Sequence, residues 1–378
     1  MDREELRDWL RLSSAQGIGP SSAHRILATL GLPSEVFRQD HRALTQVLGA
    51  DLADALLAPQ PSLPELLDRT WQWLESGMGT CRIMSLGDPL YPPALLEIPD
   101  PPLLLYGMGP VDSWHPALWR RHALAIVGSR NPTPQGSRNA HQFALELASQ
   151  DVVVVSGLAL GIDGAAHEGA LCAARPGVNT IAVVGTGLDR VYPARHRDLA
   201  RRIAQRGILL SEYPLGTPPL PHHFPQRNRI LCGLAEGTLV VEAALQSGSL
   251  ITARLSAEQG KEVFAIPGPI HSPLSKGCHA LIRQGAKLVE TTQDIFEEFR
   301  HWSAVPAPPA VAQKADCGVD RSDCPVLAAL GHEPSNLDQL QARTGWPIPD
   351  LQVRLMELEL LALVARLPGG SFERIHRA

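Results

Sequence analysis

Between residues 121 and 289, short apolar runs alternate with longer stretches in which apolar positions recur every three or four residues. The runs predict strands at Ala123 to Val127, Val152 to Val155, Thr180 to Val184, Ile208 to Leu210, Thr238 to Val241, Glu262 to Ile266 and Lys287 to Val289. The stretches between them predict helices, among them Gly136 to Ser149, Arg195 to Gln205, Gln226 to Ala235 and Thr252 to Gln259. Four consecutive valines, Val152 to Val155, read as a strand buried on both faces. Strand and helix in strict alternation specify an α/β fold with a doubly wound parallel sheet, whose ligands sit beyond the carboxyl ends of the strands.

The flanks follow other patterns. Residues 1–80 read as a small helical domain with a helix-hairpin-helix-like turn, Gln16-Gly17-Ile18-Gly19-Pro20, before Ala23, Ile26, Leu27 and Leu30 at helical spacing. The amides of such a turn can hold a DNA phosphate, but the acidic surroundings favour a packing or interaction role. Residues 81–121 form a proline-rich connector that excludes long helix and predicts extended chain laid on the core, with an edge strand at Leu103 to Tyr106. The core domain then spans 122–300 and a proline- and alanine-rich linker 301–322. From 323 to 378 a winged helix is expected: helices at Cys324 to Leu330, from a Ser335 cap through Arg343, and at Asp350 to Leu360. Two strands follow, Leu363 to Leu367 and Ser371 to Ile375, joined by Pro368-Gly369-Gly370. Its third helix offers Arg354 against Asp350, Glu357 and Glu359, which suits protein docking or dimer regulation better than reading a DNA groove.

Composition narrows the class. With 378 residues, 44% of them hydrophobic, the chain can fill two or three domains. It shows no apolar run near 18 residues and no charged-then-apolar leader, so a cytoplasmic protein without a membrane partner is expected. The cysteines, Cys81, Cys172, Cys232, Cys278, Cys317 and Cys324, form no CxxC pair and read as reduced structural thiols, with no metal expected. The net charge is −5, yet residues 101–301 carry 19 basic against 16 acidic side chains, nearly all of the basic ones arginine. Arginine grips phosphate oxygens two at a time, so the middle of the chain is where an anionic partner belongs.

The candidate chemistry lies just after the strands. Gly128-Ser129-Arg130, Ser156-Gly157, Gly185-Thr186-Gly187 and Ser247-Gly248-Ser249 all fall on one rim of the predicted sheet. Glycine turns and helix starts together present amides to an anion, and several on one rim point to an anion-binding groove. The segment His222-His223-Phe224-Pro225-Gln226-Arg227-Asn228-Arg229 adds charge and an aromatic face. Proline before the helical run predicts that Arg227, Asn228 and Arg229 occupy a first turn, where cations favour an external anion or a buried partner, and Phe224 is placed to stack on a base or to anchor its loop.

The ordered motifs IVGSR, VVSGLALGIDGAAHEGAL, VVGTGLDRVYPARHRDLA, SEYPLGTPP, FPQRNRILCGL, LVVEAALQSGSLITA and VFAIPG resemble the DNA-processing protein A (DprA/Smf) family, densely over residues 85–300. The resemblance implies an extended Rossmann-like core, binding of single-stranded DNA, loading of RecA recombinase in natural transformation and recombination, homodimers, and frequently a C-terminal winged helix. Ser129 and Arg130 match the family's GSR turn, Arg227 to Arg229 its RNR segment, Ser247 to Ser249 its SGS turn, and Lys276 lies in its glycine-containing segment before LI..GA. Leu160 stands where the family usually has arginine, and His196 and His279 stand where asparagine is common.

The rival reading is an enzyme. Gly237-Thr238-Leu239-Val240-Val241-Glu242-Ala243 resembles the GT..E segment of nucleotide phosphoribohydrolases, whose glutamate assists glycosidic cleavage. The preceding PGG turn of those enzymes is absent, replaced by Cys232-Gly233-Leu234-Ala235-Glu236. No GxGxxG with a following acidic residue and no Walker lysine is present, so neither a dinucleotide cofactor nor nucleotide hydrolysis is expected. The residues together predict a non-enzymatic single-strand binder without cofactor.

Overall fold

A computed structural model describes residues 1–302, 324–331, 334–361, 363–367 and 369–375. Among these residues the core is a nine-stranded sheet in the order β1-β2-β6-β5-β4-β3-β7-β8-β9. The strands are β1 Cys81–Ser85, β2 Leu104–Met108, β3 Ala123–Val127, β4 Val153–Ser156, β5 Thr180–Val183, β6 Ile208–Ser211, β7 Gly237–Val240, β8 Glu262–Ala265 and β9 Lys287–Leu288. From β6 across to β9 all neighbours are parallel; β1 and β2 add an antiparallel edge to β6. The extended, mostly parallel sheet agrees with the predicted class.

Period-two alternation divides the strands between two apolar layers. Ala125, Val127, Val153, Val155 and Val183 enter one cluster, while Leu124, Ile126, Val154 and Leu239 pack from the other face on Phe143 and Leu147 of the helix Pro134–Ser149. Burial on both faces is why these strands read as unbroken apolar runs. The helices start earlier than predicted, at Pro134, His223 and Gly248, because the first turn tolerates proline and glycine that interrupt the apolar period. The helix predicted from Arg195 instead starts at Arg197, after a 3₁₀ turn at Ala194–His196.

The connector differs from expectation in two ways. Cys81–Ser85 forms β1, paired through Ile83 opposite Tyr106, where the sequence predicted extended chain laid on the core, and because β1 takes the edge, the strand expected there at Leu103 to Tyr106 is β2, paired on both sides. The prolines exclude α-helix but lead short 3₁₀ turns at Pro93–Glu97 and Pro116–Arg120. The N-terminal helices run from Arg3–Ser13 to Leu63–Ser76, and Leu6, Trp9 and Leu10 share an apolar cluster with Tyr106 and Leu209 of the sheet. The GIGP turn carries Gly17 at φ 83°, a conformation glycine takes without strain.

The C-terminal unit has helices Pro325–Leu330, Leu337–Thr344 and Ile348–Leu360 and a hairpin of β10 Val364–Arg366 with β11 Phe372–Arg374, closed over Leu340, Leu351, Leu355 and Leu358. Its second helix is capped by Asn336, whose side chain accepts from the Gln339 amide, and not by Ser335, which pairs through its main chain with Phe372. Of the predicted linker, residues 303–322 lie outside the described residues, as does Pro368 of the hairpin turn. No helix among the described residues is long and apolar enough to cross a membrane.

Candidate functional site

The carboxyl ends of β3 and β7 open onto a cavity of about 560 Å³. Three segments supply most of its lining, with Ala159, Asp163 and Leu274 completing it. Gly128, Ser129, Arg130 and Asn131 leave β3, Phe224, Arg227 and Asn228 come from the helix His223–Leu234, and Ser247, Gly248 and Ser249 head the helix Gly248–Glu258. The rim turns predicted from sequence therefore converge in part.

The convergence follows from local geometry. Ile162 donates its amide to the Ser129 carbonyl at 3.1 Å, which fixes the β3 turn against the next crossover. Ser129 Oγ accepts from the Asn131 amide at 3.1 Å and is buried, leaving Arg130 and Asn131 exposed at the tip. Arg130 has no ion-pair partner among the described residues, and its guanidinium lies 5.9 Å from the centre of the Phe224 ring. That ring is in turn 5.4 Å from Tyr192, which is half exposed. Guanidinium and two rings in series form a flat cationic surface, the arrangement that suits stacking of an aromatic ligand.

Besides the start of His223–Leu234, three helix starts lie on this edge, and in two of them a carboxylate of the chain already holds the turn leading in. Glu242 accepts from the Thr133 amide at 2.9 Å and from its hydroxyl at 2.6 Å, sealing the start of Pro134–Ser149. Asp163, in the first turn of the helix Ile162–Cys172, accepts from the amides of Gly157 at 3.1 Å and Ala159 at 3.4 Å. The third, Gly248–Glu258, is capped by Ser247, whose hydroxyl meets that of Ser249 at 2.6 Å. A Cβ built on Gly248 meets nothing within 4 Å, so this helix start is open to solvent and to an anion.

Several predicted contacts are placed elsewhere. Ser156 and Gly157 are buried; the Ser156 hydroxyl donates to the Ile126 carbonyl at 2.6 Å and the Gly157 amide is held by Asp163. Gly185 and Gly187 are likewise buried: His223 Nδ1 lies 3.2 Å from the Gly185 carbonyl, and the Gly187 amide donates to Thr217 at 3.1 Å. These glycines permit close packing and present no amide to the cavity. Lys276 is exposed at the start of Lys276–Arg283 and does not line it.

The two arginines of the RNR segment have internal partners. Because the helix starts at His223, Arg227 to Arg229 sit in its second turn and not its first. Arg227 is buried, donating to the carbonyls of Gly157 at 2.8 Å and of Val183, while its Nε reaches Asn228 Oδ1 at 2.9 Å. Burial pushes its pKa down, a shift opposed by the charge of Asp163; burial pushes the Asp163 carboxyl up, opposed by Arg227 and by the two amides. Arg229 is clamped between Glu212 and Asp100, the latter at 3.1 Å. Burial raises Glu212 although Arg229 works against it. Neither arginine has the free fork that a phosphate contact requires.

The sequence reading missed Asn131, Asp163 and Tyr192. Asn131 was visible as a polar residue following a rim arginine; Tyr192 and Asp163 stood inside quoted motifs without assigned tasks. The histidines at unusual positions are both hydrogen-bonded, His196 Nδ1 3.0 Å from the Leu158 carbonyl and His279 Nε2 2.9 Å from that of Gly268. Glu242, the carboxylate on which the phosphoribohydrolase reading depended, has both oxygens committed to Thr133 and does not line the cavity.

Residues 82–300 match the family model described as DNA recombination-mediator protein A, and residues 306–370 match the DprA winged helix domain. The chain is 39% identical to Protein Smf of Escherichia coli K12 over 98% of its own length and 96% of the relative's. It is 47% identical to DNA processing protein DprA of Streptococcus pneumoniae over 57% and 73%. The crystal structure of the Streptococcus pneumoniae protein superposes with a TM-score of 0.61 at 36% identity, covering 79% of this chain and 98% of that one. DNA processing protein A of Helicobacter pylori, whose structure is described for its single-stranded DNA binding mode, superposes at 0.52 with 30% identity over 60% and 98%.

Proposed function

Since the chain belongs to the DNA recombination-mediator protein A family, we propose that it binds single-stranded DNA in the rim cavity without catalysing a reaction on it. The carrying observation is the conjunction on one cavity of an open helix start at Ser247-Gly248-Ser249, an exposed Arg130 without an ion-pair partner among the described residues, and the Phe224 ring. The helix start and Arg130 take successive phosphates; Phe224, with Tyr192 beside it, stacks bases, which every base allows. Gly128, Ser129 and Asn228 shape and line the groove, with Arg227 holding its floor. The single-strand binding of the Helicobacter pylori relative supports this reading.

The finer assignment is that the chain protects incoming single strands and loads RecA recombinase onto them in natural transformation and recombination, as a cytoplasmic homodimer. It rests on the family. The winged helix is assigned to protein docking, for which Val353, Met356 and Leu360, exposed at helical spacing on Ile348–Leu360, offer an apolar stripe.

Fluorescence anisotropy with a labelled homopolymeric single strand and the matching duplex tests the binding. Tighter single-strand binding that weakens steeply with salt is expected; equal affinity for duplex, or indifference to salt, overturns it. Incubation with nucleoside monophosphates is expected to release no free base, and sustained turnover restores the enzyme reading. For the finer assignment, RecA ATP hydrolysis on single strands coated with single-strand-binding protein should start sooner when the chain is present.

A further inference from the structure

The opposite, amino-terminal edge of the parallel strands carries a cluster that the groove does not use. His122 immediately precedes β3 and Glu236 immediately precedes β7, and these strands are parallel neighbours with Leu124 opposite Gly237. The register sets Glu236 across from Ala123, whose carbonyl accepts its amide at 2.8 Å, one residue along from His122. After the helix Thr292–Glu298 the chain returns to the same edge and adds His301. His122 Nδ1 lies 2.8 Å from Glu236 Oε1, and His301 Nε2 lies 2.7 Å from Glu236 Oε2. The three donor atoms are all within 4.8 Å of one another.

The geometry points to a divalent transition-metal site formed by His122, Glu236 and His301, of the zinc, cobalt or nickel class. Two imidazole nitrogens and one carboxylate oxygen are a borderline donor set that these ions favour over magnesium or calcium. Tetrahedral zinc, with bonds near 2.0 Å, spaces its ligands about 3.4 Å apart. The three atoms reach that spacing by side-chain shifts of about 1 Å, which the exposed His301 ring and the Glu236 carboxylate can make without moving the strands.

The surroundings suit a ligand set. The buried Trp302 donates its indole N–H to Glu236 Oε2 at 3.0 Å, which orients the carboxylate, and its ring stacks on His122 at 5.2 Å between centroids. Such supporting contacts tune ligands at metal centres. The side chains are also open to water, His122 and Glu236 each 36% exposed and His301 61%, so an ion can enter and keep at least one water. Bound metal would pin residue 301, which follows the helix Thr292–Glu298, to the amino ends of β3 and β7.

The test uses the full chain stripped with chelator and titrated with Zn²⁺ by calorimetry and with Co²⁺ by visible absorption. One equivalent should bind to the unaltered protein with a tetrahedral cobalt spectrum. His301→Ala and Glu236→Gln should each weaken binding at least tenfold and abolish that spectrum. His301 is exposed and outside the strands, so His301→Ala keeps its fold, verified by unchanged circular dichroism. No stoichiometric binding by the unaltered protein, or full affinity in both variants, overturns the site and leaves a hydrogen-bonded triad.

Discussion

Arg130 and Arg227 are both rim arginines by sequence, and the structure separates them by what each already touches. Arg130→Ala removes an exposed cation with no ion-pair partner among the described residues, so its cost to stability should stay within about 0.5 kcal/mol. If its fork grips a phosphate, the lost charge-assisted bond is worth about 1.5 kcal/mol at an exposed site, roughly tenfold in affinity. The same loss should reduce the slope of log affinity against log salt by about 0.7, the value for one phosphate on a single strand. Arg227→Ala has the opposite profile. It strands the buried carbonyls of Gly157 and Val183 and takes from the buried Asp163 its nearest counter-charge, a loss of about 3–5 kcal/mol. Anisotropy titrations of a labelled homopolymeric strand at four salt concentrations, beside urea unfolding of each variant, read both axes. An Arg130→Ala protein with unchanged affinity and slope refutes the phosphate contact. An Arg227→Ala protein of normal stability and reduced affinity refutes the structural role given to that side chain.

Three further outcomes follow from the same contacts. Phe224→Ala should weaken single-strand binding by about 1–3 kcal/mol, the worth of one stacked base, while Phe224→Tyr retains it; equal binding by all three proteins in the anisotropy assay removes the ring from the interface. Arg229→Ala should destabilise the fold by about 3 kcal/mol because it leaves Glu212 buried without its cation, and Arg229→Met with Glu212→Leu should recover most of that; urea midpoints decide it, and a neutral single variant contradicts the clamp. Burial, reinforced by His196 and Arg227, lowers the His167 pKa to about 3, so the folded protein stays unprotonated there while an unfolded histidine takes up a proton below about 6.5. Its contribution is therefore complete above pH 6.5 and lost as pH falls toward 3, about 2 kcal/mol by pH 5; the stability difference between the unaltered protein and His167→Gln should shrink accordingly, and a pH-independent difference rejects this.

How far the chain was legible depends on whether the information is periodic or relational. The strands were, because burial on both faces writes itself as apolar runs: β3 was predicted at both ends, and the parallel direction of the core strands followed from alternation with helices. β1 was not, since Cys-Arg-Ile-Met-Ser alternates weakly and gains its identity from pairing with β2. The same divide runs through the site. Gly128 to Arg130 and Ser247 to Ser249 follow or precede a regular element directly, and position alone placed them on the cavity. Arg227 and Arg229 are two residues apart on one helix, about 200° around its axis, so they face different surroundings, and their partners lie far off in sequence at Gly157, Val183, Glu212 and Asp100. Nothing local to FPQRNR encodes those pairings. A helix start three residues earlier than predicted was enough to move both side chains out of the first turn and into the protein. A basic residue near a rim thus becomes a candidate contact after its internal partners are counted, and by that count Arg130 remains where Arg227 and Arg229 do not.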